Sequence, residues 1–311
     1  MITWNHAPYV AQAIESILAQ ECDFEFELII GEDCSTDGTR EICERYAAQG
    51  ARVRLVTSET NVGMHANLRR IWDLARGGYV AFCEGDDYWS DPRKLAKQVA
   101  FLDAHPDFSM VGASTRKIRQ AEGGAWESVG ILGPGRVKER YSVEDLIPSY
   151  AFHFSSVLVR RDCVRFPDWF PRQYCADRPL YLLCAEQGPV GFIPEEMSVY
   201  RLHGGGVWSP TGWVDKARKG RELFETLDRH FEGRYRRLIQ RTLGGIIWSY
   251  MAEALAAGDQ AAGRRLFWMA SRHFLRARRF DMARHWSVAL VRLYLPNAYA
   301  RLKKATGGAQ A

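Results

Sequence analysis

The chain has 311 residues, of which 47% are apolar and 25% are charged, so it can form one large globular α/β domain with an appendage. No run approaches the roughly 20 apolar residues that span a bilayer, and we expect no signal peptide. The seven cysteines lack a Cys-x-x-Cys pair, which favours a reducing cytosol over a disulfide framework or a zinc site.

The net charge of +5 conceals two halves of opposite sign. Residues 1–200 carry 21 Lys and Arg against 29 Asp and Glu, whereas residues 201–311 carry 21 against 8. The basic half has two interpretations: a solvated face around a helical core, or attraction to an anionic membrane surface or a lipid-diphosphate acceptor. Nucleic acid is not expected as a partner, because no recognised binding motif accompanies the charge.

Strands and helices alternate over the first 110 residues. Residues 1–3 read as the end of a strand, so the first strand is expected to be unusually short or truncated. The alternation predicts parallel βαβ units, and the absence of a Gly-x-Gly-x-x-Gly disfavours a dinucleotide-binding domain. The apolar spacing predicts strands at 26–31, 53–57 and 79–83 and helices at 11–18, 39–48, 64–75 and 92–105.

The remaining chain changes character twice. Residues 120–136 are predicted as loop, and a capping box at Ser142 to Asp145 predicts a short helix. A longer helix is predicted over Asp177–Gln187. Further strands are predicted at 110–117, 154–160, 190–194 and 197–202, and four helices at 214–231, 235–256, 261–275 and 280–295.

Three carboxylates around a glycine follow the strand at 79–83, in the sequence Glu84-Gly-Asp-Asp87. Ligands of open α/β sheets bind at the carboxyl ends of strands. Hard divalent cations bind oxygen, often through one or two carboxylates plus substrate phosphates. The motif therefore predicts a metal site that holds a diphosphate, and the alternative is an acidic loop that caps the next helix.

Four stretches, in this order, resemble the family 2 glycosyltransferases of the GT-A fold. The resemblance covers about residues 1–205 and implies a GT-A catalytic domain with a mainly parallel central sheet. The periodicity and charge of residues 206–311 predict a basic helical region after it. The stretches are residues 3–14 (TWNHAPYVAQAI), 28–39 (LIIGEDCSTDGT), 61–63 (NVG) and 84–89 (EGDDYW).

The same resemblance implies an activity. It is the inverting transfer of a sugar from a nucleoside-diphosphate sugar to an acceptor hydroxyl, with Mn²⁺ or Mg²⁺ as cofactor. The expected acceptor is a glycan or lipid-linked glycan of bacterial surface polysaccharide or glycolipid assembly. The expected location is the cytoplasm, extended by the basic helices to a peripheral position at the inner face of the cell membrane.

The resemblance also implies site residues. Asp87 would bind the metal and Asp86 would approach the ribose of the nucleotide, while His203 would reach the metal or the diphosphate. Asp33 would contact the nucleotide base, which Trp4 would border. Each residue has a local alternative: a turn carboxylate for Asp33, core packing for Trp4 and a structural role for His203.

Asp177 is the implied catalytic base that deprotonates the acceptor hydroxyl. Its surroundings depart from the family pattern, because no Glu precedes it and Arg178-Pro179 follow it. An N-cap Asp is the alternative. Trp208 and Trp213 could line a sugar site or cover the core.

Two other functions stay open. A sugar nucleotidyltransferase has a related sheet, but residues 6–9 lack the Gly- and Arg-rich phosphate loop that it would normally show. A catalytically silent nucleotide- or glycan-binding protein of the same fold is the second. The altered neighbourhood of Asp177 and the short first strand are compatible with it.

Overall fold

The computed structural model describes residues 1–205, 211–279 and 283–295. The chain divides after residue 206 into two compact units. The first unit holds all the strands of the described chain, and the second unit is helical.

A parallel sheet opens the first unit, with the strand order β1-β2-β3. The register pairs Ile2 with Gly31 and Leu28 with Val53. All residues of β2 are buried, as expected for a central strand covered by helices. The elements are β1 (Ile2–Thr3), α1 (Val10–Leu18), β2 (Leu28–Glu32), α2 (Thr39–Gln49), β3 (Val53–Val56) and α3 (Met64–Trp72).

A second, mixed sheet has the order β4-β8-β6-β9-β5, with β7 on β6. A parallel bridge between Ile2 and Glu84 links the two sheets through β1 and the residues that follow β4. The strands are β4 (Tyr79–Ala81), β5 (Tyr88–Trp89), β6 (Met110–Gln120), β7 (Trp126–Leu132), β8 (Leu158–Arg160) and β9 (Val190–Leu202). The helices are α4 (Lys94–Ala104), α5 (Val143–Leu146) and α6 (Asp177–Gln187).

Parallel pairing follows the helical crossovers. The pairs β1–β2, β2–β3 and β6–β9 are parallel, whereas β4–β8, β6–β8, β5–β9 and β6–β7 are antiparallel. The predicted βαβ units of the first 110 residues therefore account for the pairs β1–β2 and β2–β3, whereas the parallel pair β6–β9 lies beyond them. Beyond β6 the chain returns through a hairpin and irregular loops, which permit antiparallel neighbours.

Three local predictions need correction. The strand predicted at 154–160 is confined to Leu158–Arg160, because Phe154–Ser156 forms a 3₁₀ turn. The sequence predicts a loop at residues 120–136, but Trp126–Leu132 forms β7, which pairs with β6 across a turn that includes Gly124 at φ +82°. The β7 residues are nearly all exposed, so their sequence lacks an alternating apolar signal. The two strands predicted at 190–194 and 197–202 are one strand, because irregularities in the β6–β9 register carry the chain past Pro194.

The second unit contains four helices within the described residues: α7 (Trp213–His230), α8 (Arg236–Ala256), α9 (Gln260–Arg276) and α10 (Ala283–Tyr294). Gly258, at φ +83°, turns the chain between α8 and α9. The buried faces carry Leu243, Ile247, Leu266 and Phe267. Among the described helices, none combines the length and apolar character required to cross a bilayer.

Candidate functional site

The site lies where β1 and β4 end, around residues 84–87. The backbone N–H of Gly85 donates to the carbonyl of Ile2 at 3.0 Å, which seats this segment on β1. A Cβ on Gly85 would lie 2.3 Å from Oγ1 of Thr3 and 2.9 Å from Nδ1 of His6. The close approach therefore needs glycine, and it fixes the carboxylates on either side.

Asp87 is 1% exposed and bonded on both carboxylate oxygens. Its Oδ1 accepts the backbone N–H of Arg201 at 3.0 Å, and its Oδ2 accepts the Ser155 hydroxyl at 3.1 Å. Nδ1 of His153 lies 3.5 Å from the same Oδ2. Burial, followed by the charge of Asp86, raises the pKa of Asp87 well above its ordinary value.

Glu84, Asp87 and His153 form the group that could hold a metal ion within the described residues. One ligand atom from each lies within 4.8 Å of the others. Burial, followed by the charges of Asp86 and Asp87, raises the pKa of Glu84 well above its ordinary value. Burial lowers the pKa of His153 to about 4, so its imidazole is neutral and able to donate a lone pair to a cation.

These donors fit a divalent cation. Two carboxylates and an imidazole are ligands that Mn²⁺ and Mg²⁺ sites accept. The raised pKa values of Glu84 and Asp87 express the cost of placing buried negative charges together, and a bound cation would relieve it.

Asp86 contacts two histidines instead. Its Oδ2 lies 3.1 Å from Nε2 of His203 and 3.4 Å from Nε2 of His6. Burial opposes ionisation of Asp86, but the His203 hydrogen bond and the charges of both histidines outweigh it and lower the pKa. The structure thus brings His203 to Asp86, while Asp87 is contacted by His153. The metal role of His203 stays a prediction.

Arg201 ties the site together. Its Nη1 donates to the carbonyl of Asp86 at 2.6 Å, in addition to the backbone bond to Asp87 described above. The guanidinium carbon lies 5.2 Å, 4.6 Å and 5.8 Å from the ring centroids of Tyr9, Tyr88 and Trp126. This arrangement holds a buried cation against the backbone of the acidic segment.

Asp177 is the first residue of α6. It interacts electrostatically with the acidic cluster, because its negative charge contributes to the raised pKa of Glu84. The Tyr150 hydroxyl donates to Oδ2 of Asp177, and the backbone N–H of Arg178 donates to Oδ1 at 2.7 Å. Nη1 of the Arg178 guanidinium donates to the carbonyl of Ile147 at 2.8 Å. The N-cap position of α6 is Ala176, and Asp177 is the first helical residue after it. The role of Asp177 as catalytic base stays a prediction.

Asp33 is buried and holds a loop. Its Oδ1 accepts the Val62 N–H at 2.8 Å and the Ser58 hydroxyl at 3.2 Å, and its Oδ2 accepts the Gly63 N–H at 2.8 Å. A carboxylate has about four acceptor positions, so one remains for a nucleotide base. Trp4 is 45% exposed, which leaves its ring open for stacking. Both nucleotide roles stay predictions.

Several residues of the site have no recognisable signal in the sequence. His153 and Ser155 come from a 3₁₀ turn region between α5 and β8, far along the chain from Asp87. Their contribution depends on the pairing of β8 with β4. His6 lies inside the stretch 3–14 that carries the family resemblance, so the sequence offers a signal for it. Of the two tryptophans considered for a sugar site, Trp208 falls outside the described residues. Trp213 begins α7 in the second unit.

The sequence model described as "Glycosyl transferase family 2" matches residues 1–164, more than half of the chain. The chain belongs to glycosyltransferase family 2. The segment 84–87 and the strands that position it lie inside the matched residues, whereas Asp177, Arg201 and His203 lie beyond them.

Relatives of this family 2 chain include the uncharacterized protein Rv1520 of Mycobacterium tuberculosis. The two are 36% identical over 226 residues, which is 72% of this chain and 62% of the relative. The chain thus spans less than two thirds of the length of that relative.

Two solved structures share the fold. The Staphylococcus aureus TarS 1–349 structure in complex with UDP-GlcNAc has a TM-score of 0.57 at 17% identity and covers 85% of this chain and 88% of that one. The mannosyltransferase PcManGT of Pyrobaculum calidifontis, in complex with GDP-Man and Mn²⁺, has a TM-score of 0.54 at 20% identity and covers 94% and 85%. These matches confirm the predicted GT-A fold.

Proposed function

We propose that the protein transfers a sugar, with inversion, from a nucleoside-diphosphate sugar to a hydroxyl of a surface glycan or glycolipid acceptor. The observation that carries this proposal is the cluster of half-buried Glu84 with buried Asp87 and His153 at the carboxyl end of β4, in a chain of family 2. Support for the donor class comes from TarS and PcManGT, whose structures hold UDP-GlcNAc and GDP-Man. TarS is named a poly(ribitol-phosphate) β-N-acetylglucosaminyltransferase, which supports a surface-polymer acceptor.

Different residues of the chain would bind the donor and activate the acceptor. Asp33 and Trp4 would hold the base and Asp86 the ribose, so the donor would lie across the ends of β1, β2 and β4. Asp177 would accept the proton of the acceptor hydroxyl as that oxygen attacks the anomeric carbon. The Tyr150 hydroxyl keeps the Asp177 carboxylate oriented toward this task.

A divalent cation fits beside these residues. Asp87 is the ligand to which the family resemblance points, and Glu84 and His153 are the neighbours that complete the donor set. Bound there, Mn²⁺ or Mg²⁺ would act as a Lewis acid that neutralises the departing diphosphate. His203, which hydrogen-bonds Asp86, would contact the diphosphate.

Donor binding is tested by thermal shift with UDP-, GDP-, CMP- and dTDP-sugars, each with Mn²⁺, Mg²⁺ or EDTA. A donor at 100 times its Kd stabilises the fold by about 2.7 kcal/mol, a readily measured change in Tm. The Asp87→Asn variant should lose the metal-dependent part of the shift. Asp73→Asn, which removes a carboxylate from an exposed ion pair with Arg69, is the matched control and should behave as the native protein.

Catalysis is tested by donor hydrolysis, with water as the acceptor. Asp177→Asn should bind donor normally but hydrolyse it at least about 100-fold more slowly. Undiminished hydrolysis in this variant would exclude Asp177 as the base. Donor binding without turnover in the native protein would favour the silent binding protein, and incorporation of a nucleoside triphosphate into a nucleoside-diphosphate sugar would favour the nucleotidyltransferase.

Helix α9 of the second unit has a surface suited to a membrane partner. Trp268 and Leu275 of α9 are 51% and 52% exposed. Arg264, Trp268 and Arg272 are spaced by four residues and therefore share one face of the helix. A basic face with exposed apolar side chains is complementary to an anionic lipid surface. We infer that this face binds the cytoplasmic surface of the cell membrane, near a lipid-linked acceptor.

Vesicle sedimentation tests this partner, with phosphatidylcholine vesicles that contain or lack phosphatidylglycerol. Each basic residue near an anionic surface contributes about 1 kcal/mol, so Arg272→Glu should weaken binding at least about tenfold. Arg218→Glu on α7 makes the same charge change and is the control. Equal binding to both vesicle types, or an equal loss in both variants, would contradict the assignment of this face.

A further inference from the structure

A lysine lies in the core of the first unit. Lys94, the first residue of α4, is 0% exposed. Burial lowers the pKa of its ammonium to about 7. A buried ammonium is costly unless partners compensate for the lost water, so a residue of this type needs an account beyond packing.

The Lys94 ammonium contacts two groups on different segments. Its Nζ donates to Oε1 of Gln98 at 2.7 Å. It also lies 4.3 Å from the ring centroid of Trp89 in β5. Trp89 comes two residues after Asp87, and its indole N–H donates to the carbonyl of Phe82, so its ring is fixed to both ends of the acidic segment.

Gln98 extends the contact to the other side of the site. Its Nε2 donates to the carbonyl of Ser156 at 2.8 Å, and its side chain is fully buried. Ser156 belongs to the 3₁₀ turn after His153, and its hydroxyl donates to the His153 carbonyl at 2.8 Å. This turn presents both His153 and Ser155 to Asp87.

We propose that Lys94 and Gln98 are positioning residues for the metal cluster. Through Trp89 and Ser156 they connect the segment that carries Glu84 and Asp87 to the turn that carries His153. An ammonium has three donors and no acceptor, so it fixes which end of the Gln98 amide faces Ser156. The expected effect on metal binding rests on the proposed function. The expected effect on the turn at 154–156 concerns the protein without metal.

The energetic expectation separates this role from packing. If Lys94 only fills space, its replacement by methionine should raise the free energy of unfolding or leave it unchanged, because the cost of burying the charge disappears. A positioning lysine would leave the turn at 154–156 loosely held after the same replacement. Partners that orient metal ligands typically change metal affinity 10–100-fold when they are removed.

The experiment compares Lys94→Met and Gln98→Glu with the native protein and with Lys97→Met. Gln98→Glu keeps a partner for Lys94 but removes the donor to Ser156. Lys97 lies on the same helix, and its Nζ pairs with Asp91 and Glu195 instead of with Gln98. Hydrogen exchange of a peptide that covers residues 153–157 is measured without metal, and Mn²⁺ affinity is measured by calorimetry.

Both test variants should exchange at least about tenfold faster across the turn and bind Mn²⁺ about 10–100-fold more weakly, while Lys97→Met matches the native protein. Native exchange and native Mn²⁺ affinity in either folded test variant would overturn the proposal. Failure of both variants to fold would also overturn it, since the pair would then serve the fold itself. If the native protein did not bind Mn²⁺, the metal site would fail, but the exchange result would still decide the positioning role.

Discussion

Replacing Gly85 by alanine tests whether the close contact at residues 84–87 builds the site. The glycine does not adopt a left-handed conformation, so the replacement adds a methyl group without backbone strain. That methyl would lie 2.3 Å from Oγ1 and 2.7 Å from Cβ of Thr3, and 2.9 Å from Nδ1 of His6. Contacts below 3.0 Å require a shift of the acidic segment away from β1.

The size of the effect follows from these distances. Overpacking of this kind costs about 1–3 kcal/mol. For a unit of about 200 residues, each kcal/mol lowers Tm by about 2–4 °C, so a fall of about 4–8 °C is expected near the middle of the range. Because Asp86 and Asp87 follow directly, the shift should also weaken Mn²⁺ and donor binding more than the loss of stability alone would.

Differential scanning calorimetry and Mn²⁺ titration measure the two effects. Gly78→Ala is the matched control, because no atom lies within 4 Å of a Cβ at that position. Its Tm should be unchanged or slightly raised. A Gly85→Ala protein with native Tm and native Mn²⁺ affinity would refute the argument that the Thr3 contact requires glycine here.

Two further predictions concern pH and the loop of Asp33. Burial and nearby arginines lower the pKa of His273, which hydrogen-bonds Gln240, to about 4, so the unfolded chain binds more protons between pH 4 and 6.5. Urea unfolding should therefore show stability that is full above pH 6.5 and falls toward pH 4, with a smaller fall in His273→Gln. Asp33→Ala should leave the amide of Val62 without its acceptor, at about 1–3 kcal/mol, and speed its hydrogen exchange, whereas the Gly63 amide keeps Oδ1 of Asn61 as an acceptor. Asn at position 33, which keeps an acceptor oxygen, should give an intermediate rate.

Local signals in the sequence predict the helices and the first strands well. The helix at Asp177–Gln187 was predicted with the bounds that the structure shows, and the capping box of Ser142 with Asp145 is present. Both depend on residues close together in the chain, where periodicity and caps act directly. The acidic segment at the end of β4 was found for the same reason.

The assembly of the cluster could not be predicted in this way. His153 reaches Asp87 because β8 pairs with β4. The residues next to His153 in the chain carry no signal for this long-range contact. Lys94 would be placed on the solvent side by its charge, yet it is buried against Trp89. The hairpin strand β7 was missed because exposure removes the alternation on which strand prediction depends.

The strand β9 limits how far the protein can be dissected. It is the parallel partner of β6 and the antiparallel partner of β5, and its Arg201 supplies the amide bonded to Asp87. A fragment cut at residue 164, where the family match ends, would leave an open edge on β6 prone to self-association. Modular exchange with other family members should therefore place the junction after His203, so that β9, Arg201 and His203 are moved together with the acidic segment.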